Sequence, residues 1–192
     1  FWLLNQAQSH CSATVKTCNC KNPRKPNLPT DQSVHDETAR TILRADSVAV
    51  TTSAGGRVAT LTMPGGTLEA RVATEISTAC EQIKEDREIR VVVLTSVDQD
   101  FCTGLAEGFD PQSISPDPAT ALSRLKVPIV SLVSGVCSSG GLEMILACDI
   151  RIGTPDSCFS LTEPLNGSLP MWGGTQRLPR AISHGRAASM LF

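Results

Sequence analysis

The 192-residue sequence predicts an α/β fold, and three observations carry that prediction. Residues 90–95 (RVVVLT) and 129–133 (IVSLV) are continuous apolar runs of strand length, the pattern of strands covered on both faces. Residues 68–86 instead place Val72, Ile76, Ala79, Cys80 and Ile83 at helical spacing. Strand-like and helix-like segments then alternate along the chain, which is the order of an α/β domain.

Taken in sequence, residues 47–52 and 57–63 are β-rich stretches around Ala54-Gly55-Gly56, a hairpin signal. Pro64-Gly65-Gly66 breaks the chain before the helix of 68–86. The strand of 90–95 runs into a loop rich in Gly, Asp and Pro from 96 to 118. The strand of 129–133 closes at Gly135, residues 141–148 read as a short apolar helix, and 149–153 as a further strand. No internal repeat of solenoid length is visible.

Residues 1–45 stand apart as an N-terminal extension without periodicity, and 46–192 form the core. The extension carries a charge of +3 (six basic, three acidic) and the core −5 (eleven basic, sixteen acidic). A poorly packed extension is the plainer reading of this basic, acid-poor leader, and a remnant of an organelle transit peptide is the other. The expected location is intracellular, in the cytoplasm or the mitochondrial matrix.

Composition excludes several classes of function. A 41% hydrophobic and 19% charged chain is globular, and no run approaches the 18 apolar residues needed to span a bilayer. A net charge of −2 argues against a nucleic-acid binder that works by neutralising phosphates. There is no Tyr, and two of the three histidines (His10, His35, His184) lie in the first 35 residues, so acid–base chemistry in the core falls mainly to carboxylates.

Two glycine turns follow predicted strands. Phe101-Cys102-Thr103-Gly104-Leu105 comes after the strand of 90–95, and Ser138-Ser139-Gly140-Gly141-Leu142-Glu143 lies between the strand of 129–133 and a helix. Open α/β sheets bind ligands at such C-terminal strand ends. Glycine lets a backbone N–H approach a ligand closely, and two N–H groups converging on one carbonyl oxygen make an oxyanion hole. Each turn taken alone is more simply a chain reversal. Two carboxylates change that balance: Glu143, in the first turn of an apolar helix, and Glu163, between Phe159-Ser160-Leu161-Thr162 and Pro164. A carboxylate flanked by apolar residues is costly to bury unless it is paired or functional. The plain alternatives are a favourable charge at a helix N-terminus for Glu143 and a surface loop charge for Glu163.

These residues resemble the crotonase (enoyl-CoA hydratase/isomerase) superfamily, from about Val48 to Phe192. The likeness is densest in VVVLTSVDQDFCTGLAEGFD, in KVPIVSLVSGVCSSGGLEMILACDIRIGTPDSCFSLTEP, and in LPMWGGTQRLPR followed by SHGRAASMLF. The resemblance implies a spiral of ββα units acting on acyl-thioesters of coenzyme A, with no metal or redox cofactor. It implies backbone oxyanion donors at Leu105 and Gly140, and a CoA- and substrate-binding stretch over Thr103, Gly104, Leu105, Ala106, Glu107, Gly108, Gly140 and Gly141. It assigns Glu163 to protonation of the substrate α-carbon and Glu143 to the water that adds at the β-carbon. It also implies a homo-oligomer, a trimer or dimer of trimers. Double-bond isomerisation or decarboxylation, or an inactive binding or assembly subunit, are the alternatives it leaves open.

The sequence departs from the family pattern in three places. Thr103-Gly104-Leu105-Ala106 stands where Ala-Gly-Ala-Asp is usual, and Ser139 replaces the first of three glycines. The C-terminal helices that close the pocket and build the trimer do not follow within these residues, which predicts an exposed apolar face where they would pack.

Other features carry less. Cys11, Cys18, Cys20 and His10 do not fit a strong metal spacing. Cys80, Cys102, Cys137, Cys148 and Cys158 read as small buried hydrophobes. Ser138 or Ser139 with His184 makes a weak case for a serine nucleophile, and Gly173-Gly174-Thr175-Gln176-Arg177 lacks the ending of a P-loop.

Overall fold

The computed structural model describes residues 40–191. The expectations for residues 1–39, including the metal reading of His10, Cys11, Cys18 and Cys20, lie outside them. The strands are β1 (Arg40–Arg44), β2 (Ala49–Ser53), β3 (Val58–Met63), β4 (Thr67–Leu68), β5 (Val91–Ser96), β6 (Gly104–Leu105), β7 (Ile129–Val133), β8 (Val136–Ser138), β9 (Ile150–Gly153) and β10 (Cys158–Ser160). The helices are α1 (Ala70–Glu85), α2 (Pro118–Ser123), α3 (Gly140–Leu146), α4 (Gly174–Ala181) and α5 (His184–Leu191). Short 3-10 turns cover Pro111–Ser113 and Glu163–Asn166.

The chain winds as a spiral of ββα units. Each turn contributes one strand to a large sheet of order β1-β2-β3-β5-β7-β9 and the next strand to a small second layer. Strands β3, β5, β7 and β9 run parallel in the large sheet, while β4 pairs with β6 and β8 with β10, also in parallel. The large-sheet strands begin at residues 58, 91, 129 and 150, so successive turns differ by 33, 38 and 21 residues. That unequal spacing is why a repeating architecture leaves no repeat in the sequence.

Helix α1 forms where predicted, and its buried face is Val72, Ala73, Ile76, Ser77, Ala79, Cys80 and Ile83. The hairpin of β2 and β3 turns through Ala54, Gly55 and Gly56, all with positive φ. Strand β1, in the stretch assigned to the N-terminal extension, pairs antiparallel with β2, so the sheet begins before residue 46.

One expectation is corrected by the packing. The apolar strands are covered fully on one face only. In β5, Val92 and Leu94 are buried while Val91 and Val93 are half-buried, and in β7 Leu132 is exposed between Ser131 and Val133. Strand β9 is the sheet edge, with Ile150 and Ile152 about half exposed. Among the described residues, helices cover the other face, where α1, α2 and α3 pack against the core. Continuous apolar sequence thus does not distinguish double cover from β-branched preference on a half-covered face. Leu165, Leu169 and Met171 are also exposed, beside the segment that carries Glu163.

Cys80, Cys102, Cys137 and Cys148 are buried free thiols as expected, and burial raises the pKa of each. Cys158 is only half-buried. No helix among the described residues is long and apolar enough to cross a membrane.

Candidate active site

The two glycine turns meet because their strands are stitched together. Cys102 and Cys137 form a parallel bridge: the Cys102 N–H donates to Val136 C=O at 2.9 Å, and the Ser138 N–H donates to Cys102 C=O at 2.8 Å. Leu105 and Gly140 each lie three residues beyond their bridged cysteine, so the two turns leave the layer side by side. On the far side of β8, Ser138 is in register with Ser160, and Glu163 follows three residues later. Three parallel segments therefore deliver Leu105, Gly140 and Glu163 to one end of the small layer.

The backbone direction at the two predicted donors follows from this pairing. Ala106 N–H donates to Leu68 C=O on β4, and successive N–H groups of an extended chain point to opposite sides. The Leu105 N–H is thus turned away from β4. Gly140 is the first residue of α3, where N–H groups have no carbonyl one turn earlier to bond. Its glycine identity is dictated by contact: a Cβ there would stand 2.6 Å from the Trp172 ring and 2.9 Å from Leu105 Cδ2. At Gly141 a Cβ would meet Cys102 Cβ at 2.4 Å. Of the remaining predicted binding residues, Gly104 is buried, Ala106 is half-buried, and Thr103, Glu107 and Gly108 are exposed along the same edge.

Both glutamates are buried, Glu143 to 1% and Glu163 to 7% exposure, so Glu163 is not a surface loop charge, while Glu143 does sit in the first turn of its helix. Glu143 Oε1 accepts two backbone hydrogen bonds, from Trp172 N–H at 2.8 Å and Gly174 N–H at 2.7 Å. Gly174 opens α4, so the Gly173-Gly174 run serves as a helix start whose N–H anchors this carboxyl. Burial pushes Glu143 up to about 7, with the Glu163 and Asp117 charges adding to the rise and the Gly174 and Trp172 N–H groups opposing it. Glu163 begins a 3-10 turn, and neither of its carboxyl oxygens has a hydrogen-bond partner. Burial raises its pKa as well, and the N–H dipoles of Glu163 and Thr162 and the Ser139 hydroxyl oppose that rise.

Trp172 was not singled out from the sequence, yet it ties the site together. Its N–H holds Glu143, its indole N–H donates to Pro111 C=O at 3.0 Å, and its ring meets Phe109 edge-on at 6.1 Å. Nothing in the sequence marks a backbone N–H as a carboxylate anchor, and the contact to Glu143 spans 29 residues. His184, by contrast, is exposed at the start of α5, whereas Ser138 and Ser139 are buried. Among the described residues no cluster of three or more His, Cys, Asp or Glu could hold a metal ion.

A spiral of ββα units whose glycine turns meet at one end of the small layer is the architecture of a crotonase fold. The profile of the enoyl-CoA hydratase/isomerase family matches residues 53–192, and the chain belongs to that family. It is similar to an enoyl-CoA hydratase from Mycobacterium avium at 31% identity and a TM-score of 0.66, covering 76% of this chain and 64% of that one. It is also similar to DspI of Pseudomonas aeruginosa (27%, TM-score 0.68, 77% and 61% covered). An enoyl-CoA hydratase from Bacillus anthracis matches at 28% identity and a TM-score of 0.64, with 76% and 62% covered. The chain spans about three-fifths of the length of these structures.

Proposed function

We propose that this chain carries the site of a hydro-lyase that reversibly converts a trans-2-enoyl-CoA to a 3-hydroxyacyl-CoA. The observation that carries the reading is the pair of buried glutamates brought to the strand ends that also carry Leu105 and Gly140. The N–H groups of Leu105 and Gly140 hold the thioester oxygen as negative charge develops on it. The oxygen of a water adds to the β-carbon and its proton passes to Glu143, while Glu163 gives a proton to the α-carbon. One water is consumed, and solvent returns the proton balance of the two carboxyls.

The environments suit those roles. The two N–H bonds on Oε1 fix the Glu143 carboxyl and leave Oε2 to orient a water. Burial holds both carboxyls above the ordinary carboxylate range, Glu143 up to about 7, and the Glu163 charge adds to the rise at Glu143. Thr103, Gly104, Ala106, Glu107, Gly108 and Gly141 line the approach for the CoA portion. Leu105 and the Trp172 ring crowd Gly140, which favours a short acyl chain. A homo-oligomer, trimer or dimer of trimers, belongs to the same reading, and light scattering of the full-length protein checks it.

Mass spectrometry of a reaction with crotonyl-CoA tests the activity. The expected product is heavier by one water. A product of unchanged mass with a moved double bond would make the protein an isomerase, and tight binding without any product would make it a binding subunit.

A further inference from the structure

We infer that Arg177 is the positioning residue of Glu143: its guanidinium holds the Trp172 carbonyl and thereby keeps the Trp172 and Gly174 N–H groups on one carboxyl oxygen. The inference rests on the proposed hydration only for the work Glu143 does with its water; the contacts themselves belong to the fold.

The two donors on Glu143 Oε1 come from peptides that are not adjacent. Trp172 N–H lies in the peptide 171–172 and Gly174 N–H in the peptide 173–174, so the peptide 172–173 between them sets their relative direction. The peptide 173–174 is fixed from α4. Its Gly173 C=O accepts from Gln176 N–H at 3.1 Å and from Arg177 N–H at 2.9 Å. In a trans peptide the Gly174 N–H then points the opposite way, to Glu143. The middle peptide has no such support from the helix. Among the described residues its Trp172 C=O accepts from one group, the Arg177 guanidinium, which folds back five residues to reach it.

Glycine at 173 makes room for this grip. Gly173 has φ 91°, and a Cβ there would stand 2.5 Å from Arg177 Nη1 and 3.2 Å from Cζ. The guanidinium fills the space that a side chain at 173 would take. Glycine also leaves the middle peptide freer to rotate than another residue would, so its direction depends on what grips it. Gly174 completes the cradle, since a Cβ there would meet Glu143 Oε1 at 2.9 Å and Pro170 Cβ at 3.0 Å. Helix α4 itself does not explain the arginine. Arg177 is half-buried at the end of its first turn, where a cation opposes the helix dipole. The run Gly173-Gly174-Thr175-Gln176-Arg177 is thus one unit that brings two N–H groups to a carboxyl and locks them there.

The charged groups that act on Glu143 are Glu163 on its 3-10 turn and Asp117 ahead of α2, and both add to the rise caused by burial. The Gly174 and Trp172 N–H groups oppose that rise, so losing either donor moves the Glu143 pKa further above about 7.

The test compares wild-type and Arg177→Met full-length protein by NMR. Methionine keeps an unbranched apolar stem and removes the donors. In the wild-type protein the amide protons of Trp172 and Gly174 should both shift with pH as Glu143 ionises, and Glu143→Gln should abolish both shifts. In Arg177→Met the Trp172 response should be lost, while Gly174, held by α4, keeps its own. The carbon-13-labelled Glu143 carboxyl should then titrate about one unit higher, the size expected for one hydrogen bond to a charged group. Hydration of crotonyl-CoA should lose about tenfold in kcat with KM little changed. Loss of the arginine charge alone would leave both amides responding, and that result overturns the inference. Should Arg177→Met not fold, the wild-type protein still decides. A held guanidinium gives separate Nη signals that exchange slowly, and a freely rotating one overturns the inference. If the amide pattern holds while the wild-type protein hydrates nothing, the positioning stands and the proposed reaction falls. If hydration is present and the Trp172 response survives in Arg177→Met, the reaction stands and Arg177 is only structural.

Discussion

Glu143 and Glu163 come from consecutive turns of the same spiral and are close enough to act on each other's charge, yet their surroundings are opposite. Glu143 is clamped through one oxygen by the N–H groups of Trp172 and Gly174, whereas both oxygens of Glu163 lie buried without a partner. A clamped carboxyl can orient a water but cannot swing, and an unclamped one can follow a proton to carbon. The difference teaches that two chemically identical groups acquire distinct roles from the backbone donors that reach them.

The comparison breaks first under amide substitution. Glu163→Gln and Glu143→Gln should each lower kcat for crotonyl-CoA hydration on the order of 10³-fold, about 4 kcal/mol of barrier. Steady-state kinetics read this, with KM changing far less because the thioester contacts remain.

A pH series sharpens it next. The Glu143 carboxyl titrates at about 7 in the folded protein against 4.5 unperturbed, so the native state keeps a proton that the unfolded state has released. Stability from this group is complete below pH 4.5 and is lost as pH rises to 7, on the order of 3 kcal/mol across the window. Urea unfolding should show that decline in the wild-type protein, and the Glu143→Gln variant should lack it.

Smaller effects probe the frame around the pair. Gly140→Ala forces a Cβ against the Trp172 ring and Leu105, and should cost about 2 kcal/mol in chemical denaturation. Trp172→Phe removes the indole hydrogen bond to Pro111, for about 1 kcal/mol by the same measurement.

Much of this was legible in the residues, and what was not has physical causes. Helix α1 announced itself through five apolar positions at helical spacing, and Glu143 through being the one charge in an apolar helix. Strands β4 and β6 have two residues each and β8 and β10 three, too few for alternation to register, so the layer that brings the turns together was invisible. Helix α2 had a readable start that the loop composition concealed: Asp117 accepts from Thr120 N–H at 2.9 Å ahead of Pro118. The clamp on Glu143 is made of main-chain N–H groups, which every residue but proline possesses, so no pattern of side chains could reveal it.

The division of labour between the two carboxyls is tested most directly with butyryl-CoA in deuterium oxide. This saturated thioester has no water to add or lose, so only removal and return of an α-proton is observed. The roles argued above predict that Glu143→Gln exchanges the α-proton within about tenfold of the wild-type rate, while Glu163→Gln loses exchange on the order of 10³-fold. Equal loss in both variants, or exchange surviving in Glu163→Gln, would contradict the assignment.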